Sequence, residues 1–206
     1  MLGETFMVIK PVVRRRQCGA TLIEFMISSI LGVIVIGSVG SVFISGQNIA
    51  SEKSKELLLL QQVSGALQYF KEDLQRAGYD GGAGISLKLS DATNIVYISP
   101  DSKTVAYAYT YQSEVRNVAF VFDSGVVKVC DSPSTTVKTV SAATSGCSSI
   151  FEPNQIRVIN FDVSQSSIGT QGVSSGITTI AISAELVGDT SVSYSSSVVV
   201  KNRNWG

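Results

Sequence analysis

Residues 20–46 are apolar or small throughout, interrupted only by Glu24 and by serine and threonine hydroxyls. About 20 such residues, at a rise of roughly 1.5 Å each, cross the hydrocarbon core of a bilayer, so this run predicts a membrane-spanning helix. From residue 47 the pattern turns amphipathic: Leu60, Val63, Leu67, Phe70 and Leu74 recur at helical spacing and form one apolar stripe. Glu72 and Arg76 stand four apart, a favourable helical pair, and Arg76 suits the negative end of the helix dipole. Gly78 fits the residue after the helix, and "GYDGGAG" then breaks it. No proline lies between Val12 and Ser99, so one helix is predicted from about Ala20 to Ala77, on the order of 85 Å long. Gly32, Gly37, Gly40 and Gly46 are its expected soft points. The run Leu57, Leu58, Leu59, Leu60 exceeds one helix face, so part of it is available to contact neighbours.

Beyond the glycines the period changes. "NIVYIS", "TVAYAYTY", "VRNVAFVF", "VVKVC", "QIRVINFDV", "ITTIAISAEL" and "SVSYSSSVVVKNRN" are β-branched and aromatic, with partial alternation. Turn signals such as Ser99-Pro100-Asp101 and Asp123-Ser124-Gly125 separate them. About seven strands without further helical pattern predict an antiparallel sheet, and residues 57–77 must bury their stripe against it. The fold class is therefore α+β: a long N-terminal helix whose second half packs on an antiparallel β-sheet head. Residues 132–149 and 164–176 are rich in Ser, Thr and Gly and read as exposed loops. Tyr107, Tyr109 and Tyr111 alternate along one strand face, suited either to cross-strand packing or to an interaction surface.

The net formal charge is zero, but Lys10, Arg14, Arg15 and Arg16 stand against Glu4 within the first 19 residues, leaving an acidic remainder. No basic patch of the size a nucleic acid needs remains. The chain has no histidine. That removes the usual general base, every Ser-His-Asp or Cys-His arrangement and most catalytic zinc sites. Acids do not cluster either, and the sequence implies neither an enzyme nor a cofactor. Asp80 in the glycine loop lacks companions at calcium-ligand spacing and reads as part of a helix-terminating loop. Trp205 suits either an anchor for a partner or a cap on a sheet edge.

Arginines on the N-terminal side of the apolar run place that end in the cytoplasm and everything after it outside. A secretory signal would have a shorter apolar core and a small-residue cleavage site after it, whereas here the helix continues. If the chain is cut just after Cys18, Cys130 and Cys147 are the cysteines that remain. An even pair in an exported domain suggests a disulfide, the alternative being two free thiols.

The stretch "RRRQCGATLIEFMI" joins a basic leader, Gly19, a glutamate five residues later and an apolar helix. It resembles the prepilin leader of type IV pilins and type II secretion pseudopilins. The resemblance implies cleavage by a prepilin peptidase between Gly19 and Ala20, with Ala20 as the N-methylated new terminus and Glu24 as its fifth residue. Ala20 stands where phenylalanine is usual. "LQQVSGALQYFKEDLQRAGYDGG" and the late "VVVKNRN" resemble the minor pilin PilW and prepilin peptidase-dependent protein B group.

What this implies is a leader over 1–19, a transmembrane half-helix over 20–46, an amphipathic half over 47–77 and a β-rich periplasmic head over 78–206. The protein would sit in the inner membrane and then in a pilus fibre. Its implied partners are the prepilin peptidase, other minor pilins, the major pilin and the inner-membrane assembly platform, in a complex that primes assembly at the pilus tip. A type II secretion pseudopilin, or a single-span protein with a periplasmic binding domain, stays open beside this. Glu24 has a role on physical grounds: a carboxylate in a bilayer costs several kcal/mol, and a neighbouring subunit's N-terminal amine would offset that cost and fix the register. Its alternative is to reach the headgroups from near the helix start.

Overall fold

The computed structural model describes residues 19, 21–170 and 173–202; Arg14, Arg15, Arg16, Cys18, Ala20 and Trp205 lie outside them. Helix α1 spans Leu22–Leu74, 53 residues, about 80 Å at 1.5 Å per residue. It passes through Gly32, Gly37, Gly40 and Gly46 without a break. The chain divides into two compact units at Ile49 and Ala50. The first is the apolar part of α1, exposed along its whole length. Among the described residues, the second holds the rest of α1, eight strands and one short helix.

Within the second unit α1 buries Leu59, Val63, Ala66, Leu67, Phe70, Asp73 and Leu74. The buried stripe starts at Leu59, not at Leu60, which is 40% exposed. A stripe that keeps the 3.6-residue period through Val63, Phe70 and Leu74 returns to Leu59, so Leu57, Leu58 and Leu60 fall on the open side. The α-helix stops at Leu74, three residues before the expected end. The chain there tightens into a 3₁₀ turn, with the Arg76 and Ala77 amides donating to the Asp73 and Leu74 carbonyls at 3.0 and 3.1 Å. Gly78 then takes φ +81°, a left-handed conformation that favours glycine.

The strands are β1 (Val96–Ile98), β2 (Thr104–Tyr111), β3 (Glu114–Asp123), β4 (Val126–Ser134), β5 (Ser148–Ser149), β6 (Ile156–Thr170), β7 (Val173–Leu186) and β8 (Asp189–Lys201). They make two antiparallel sheets, β1-β2-β3-β4-β5 and β6-β7-β8, where the sequence suggests one. The expected loop over 164–176 is largely hairpin, paired from Ser164↔Thr179 to Thr170↔Val173. Its sequence gives no apolar alternation, so the pairing is not visible in it. The loop expected over 132–149 contains the end of β4, helix α2 (Val140–Ala143) and β5. Thr139 caps α2, its side chain accepting from the Ala142 amide at 3.3 Å.

The first sheet is buried on both faces. Val105, Tyr107 and Tyr109 of β2 face α1, while Ala106 and Ala108 face the other way, onto Leu89, Ala92, Ala119, Cys130 and Ala143. Alanines alternate with large residues because the chain after Leu89 and α2 lies close over that back face. Cys130 of β4 is disulfide-bonded to Cys147, with Cα atoms 4.1 Å apart, and so ties the chain beyond α2 to the back of the sheet. On the front, the Phe70 ring lies 4.4 Å from Phe120 of the first sheet and 6.1 Å from Phe161 of the second. One helix residue thus fills the joint between the sheets. Their rims are joined by hydrogen bonds from the Val158 amide to the Gly125 carbonyl (2.8 Å) and from the Val163 amide to the Ser102 carbonyl (3.0 Å).

The β2–β3 hairpin turns on Gln112 and Ser113, with φ +51° and +66°. Two left-handed residues are what a two-residue hairpin of matching twist requires, and glycine is the usual occupant of the second. Ser113→Gly is expected to stabilise the head by about 1 kcal/mol, since a side chain in this region costs roughly 1–2 kcal/mol, part of which glycine's freer unfolded chain takes back. An unchanged urea midpoint would contradict that.

Candidate functional site

Gly19 is exposed just ahead of α1, and Glu24 lies in the helix's first turn. The Thr21 amide donates to Glu24 Oε2 at 3.0 Å, and the Glu24 amide donates to Thr21 Oγ1 at 3.4 Å. The Thr21 hydroxyl also donates to Glu24 Oε2, at 3.3 Å. This is a capping box, which satisfies amides that the start of a helix leaves without partners. It also sets the carboxylate at the positive end of the dipole. The pattern Thr-x-x-Glu before an apolar run is a sequence signature of this device, and the sequence reading passed over it. Glu24 therefore has hydrogen-bond partners inside its own chain. By length and composition, the helix Leu22–Leu74 is long and apolar enough to cross a membrane. Phe25, Ile30, Val33, Ile36, Val42 and Phe43 are each more than half exposed. An apolar surface of that extent is one that lipid or other helices can cover.

The second polar cluster secures the helix to the head. Asp73, on the buried stripe, accepts hydrogen bonds from the Tyr107 hydroxyl (2.5 Å, Oδ2) and the Tyr109 hydroxyl (2.9 Å, Oδ1). Arg76 Nη1 stands 3.9 Å from Asp73 Oδ1, and its guanidinium lies 6.0 Å from the ring centres of Tyr109 and Tyr111. Arg76 is thus placed against Asp73 and the tyrosines, while Glu72 accepts the Gln68 amide at 2.6 Å. Two of the three alternating tyrosines pack beneath α1, and Tyr111 stays half exposed.

Burial, reinforced by the Asp73 charge, pushes the Tyr107 phenol well above its ordinary range and that of Tyr109 up to about 12. Because the folded values are raised, this stabilisation is full below pH 10 and is lost as pH climbs toward 12, where the unfolded chain has already released its protons. Tyr107→Phe is expected to cost about 1–2 kcal/mol at neutral pH, the worth of one charge-assisted hydrogen bond. It should also flatten the alkaline fall in stability between pH 10 and 12, read from urea midpoints. An alkaline limb as steep as wild type would remove the Tyr107 phenol as its cause.

The turn after α1 is pinned as well. The Gly78 amide donates to the Ala108 carbonyl at 2.9 Å, and the Thr110 amide to the Tyr79 carbonyl at 2.7 Å. Asp80 accepts from the Gly82 and Ile85 amides at 2.8 and 2.5 Å, which hold its carboxyl below the usual range. Its carboxylate thus organises the glycine loop. Among the described residues no group of three or more His, Cys, Asp or Glu is placed to hold a metal.

A bare apolar helix continuing into an amphipathic one, whose buried stripe lies under an antiparallel β head, defines a pilin-like protein. The family model for prepilin peptidase-dependent protein B matches residues 52–202, most of the amphipathic helix and nearly the whole head. The chain belongs to that family, which is one of structural pilin-like proteins and not of enzymes. No curated protein and no solved structure matches the chain.

Proposed function

We propose that the chain is a minor type IV pilin, a structural subunit that joins other minor pilins in a complex priming assembly and ending at the pilus tip. The observation that carries this is the sequence from Arg14 to Glu24, which resembles a prepilin leader and is set directly before a helix whose apolar half is exposed among the described residues. On this reading the prepilin peptidase removes residues 1–19, and Ala20 becomes the methylated terminus. Residues 20–46 anchor the subunit in the inner membrane, N-terminus inward, until they enter the fibre core beside the major pilin. Residues 47–77 and the head from 78 to 206 stand in the periplasm, where Cys130 and Cys147 form their bond, and the inner-membrane platform drives the transfer. Glu24 pairs with a neighbouring subunit's N-terminal amine, and its capping box holds the carboxylate in place before that neighbour arrives.

Mass spectrometry of the mature protein is expected to find N-methyl-Ala20 as the first residue; an intact leader or a cut near residue 40 would sink the proposal. Two variants separate the roles of Glu24. Glu24→Gln can still close the capping box but carries no charge. If charge pairing matters, Glu24→Gln and Glu24→Ala are both processed yet lower incorporation into sheared surface fibres by about tenfold or more. Normal incorporation of Glu24→Gln would reduce the residue to a helix cap.

A further inference from the structure

The geometry points to a binding site for a neutral, hydroxyl-rich ligand, a saccharide unit, between β1 and β6. This goes beyond the assembly reading and does not depend on it.

A cavity of about 350 Å³ opens where the β1 edge of the first sheet passes β6 of the second. That volume is near the lower end of the roughly 300–1,000 Å³ that small-ligand sites occupy. Five uncharged polar side chains line it: Thr93, Asn94, Ser102, Ser164 and Gln165. Among the described residues, none of the five makes a side-chain hydrogen bond within the chain. The neighbouring turn shows the contrast, since the Ser99 hydroxyl donates to Asp101 Oδ1. Gln165 is not drawn inward even by Thr178, the fully buried residue opposite it in the ladder, whose hydroxyl has no partner. Ser102 sits at φ +59°, in the left-handed region where glycine is at ease, so its side chain is present at a backbone cost.

The lining selects the charge of the ligand. Among the described residues no charged side chain lines the cavity. Asp101 and Lys103, on either side of Ser102, are engaged elsewhere. The Asp101 carboxylate accepts from the Ser99 hydroxyl and the Lys103 amide, while Lys103 Nζ donates to Asn160 Oδ1 and the Phe161 carbonyl. An ionic ligand would therefore lose its hydration without gaining a counter-charge. A sugar hydroxyl both donates and accepts, so it pairs with amide and hydroxyl side chains alike. Val96 and Val163, both buried, add an apolar wall suited to the C–H faces of a sugar ring.

Main-chain groups complete the set. The Ser99 amide donates to the Thr104 carbonyl, so along the same register Tyr97 bonds toward β2, while Val96 and Ile98 turn their N–H and C=O groups outward. β1 ends its sheet, and no ladder uses them. A peptide strand is the other ligand that such groups recognise. It does not fit here: β1 and β6 approach to within 8 Å, whereas a strand lying between them needs two strand spacings, about 9.6 Å.

The test uses the full chain in micelles of a detergent without a sugar headgroup. The probes are glucose, galactose, mannose and N-acetylglucosamine, followed by saturation-transfer NMR and by the amide shifts of the protein. At least one is expected to bind with millimolar affinity or better, and to shift the Val96 and Ile98 amides. Asn94→Ala and Gln165→Ala remove exposed side chains that hold no other element, and each should weaken that binding by about fivefold or more. Asn154→Ala, which removes an exposed amide outside the cavity, should leave it unchanged. Glucuronate and glucosamine, an anionic and a cationic relative of glucose, should bind no better than glucose. No binding by any of the four probes, binding that neither variant weakens, or tighter binding of a charged relative would overturn the proposal. A ten-residue peptide of alternating valine and threonine that displaces the sugar and protects the β1 amides from exchange would overturn the choice of ligand. None of these readouts involves fibres, so the pilus role stands or falls separately.

Discussion

Phe70→Ala is expected to destabilise the head by about 3–5 kcal/mol, the range for deleting a fully buried aromatic side chain that its surroundings cannot collapse to fill. Phe70 has no exposed surface, and its ring is shared between Phe120 on one sheet and Phe161 on the other. The lost volume therefore opens at the joint, where neither sheet can move in without breaking the rim hydrogen bonds of Val158 and Val163. Native stability is itself only about 5–15 kcal/mol, so the variant should be partly unfolded at physiological temperature. Urea unfolding of the full chain in detergent, followed by the strand signal in circular dichroism, measures the change. Leu60→Ala is the control: it removes a side chain that is close in sequence but 40% exposed, and its expected cost is within about 0.5 kcal/mol. Equal losses in the two variants would mean that the joint between the sheets is not where the helix is held.

The second large effect concerns the bond between Cys130 and Cys147. Closing a 17-residue separation restricts the unfolded chain by about 3 kcal/mol in the loop-entropy account. Its local weight is greater than that figure suggests, because the core it closes is small: Ala92, Ala106, Ala108, Ala119 and Ala143 contribute little apolar area beside Leu89. Replacing both cysteines by alanine should lower stability by about 2–4 kcal/mol. Hydrogen exchange should rise first over residues 135–149 and in α2, while the α1 stripe stays protected. Uniform loss across both sheets would show that the back-face cluster is not a separate cooperative unit. Dithiothreitol treatment of the unchanged chain should give the same local pattern, which separates the missing bond from the altered side chains.

The helix was legible because its signals are local. Twenty-odd apolar residues, then the spacing of Val63, Leu67, Phe70 and Leu74, can be read without knowing what they touch. Leu59 was missed in favour of Leu60 because the leucine run satisfies either choice, and only the position of the sheets decides. The strands from β1 to β4 were likewise visible, yet the division into two sheets was not. Nothing in Phe120 or Phe161 says that they belong to different sheets. The arm of β6 and β7 beyond Ser164 looked like loop because serines and threonines form a hairpin as readily as a coil, and their spacing carries no apolar alternation. Asp73 was hidden for the opposite reason. It reads as one polar residue on a helix, and its role exists only once Tyr107 and Tyr109 arrive from more than thirty residues away. At the start of α1, Thr21 and Glu24 did carry a written signature, and the resemblance of the preceding stretch to a prepilin leader drew attention from it.

The turn at Gly78 and Tyr79 decides how the molecule bears tension. A pull along Leu59–Leu74 reaches the end of the helix and, within five residues, meets the Gly78–Ala108 and Tyr79–Thr110 hydrogen bonds on β2, with no slack tether between. Load enters the head through β2 of the first sheet, shared with the buried carboxylate of Asp73 and the ring of Phe70. Those contacts must slip together, because none can lengthen while the others hold. Under force the head would yield in one abrupt step and would not creep.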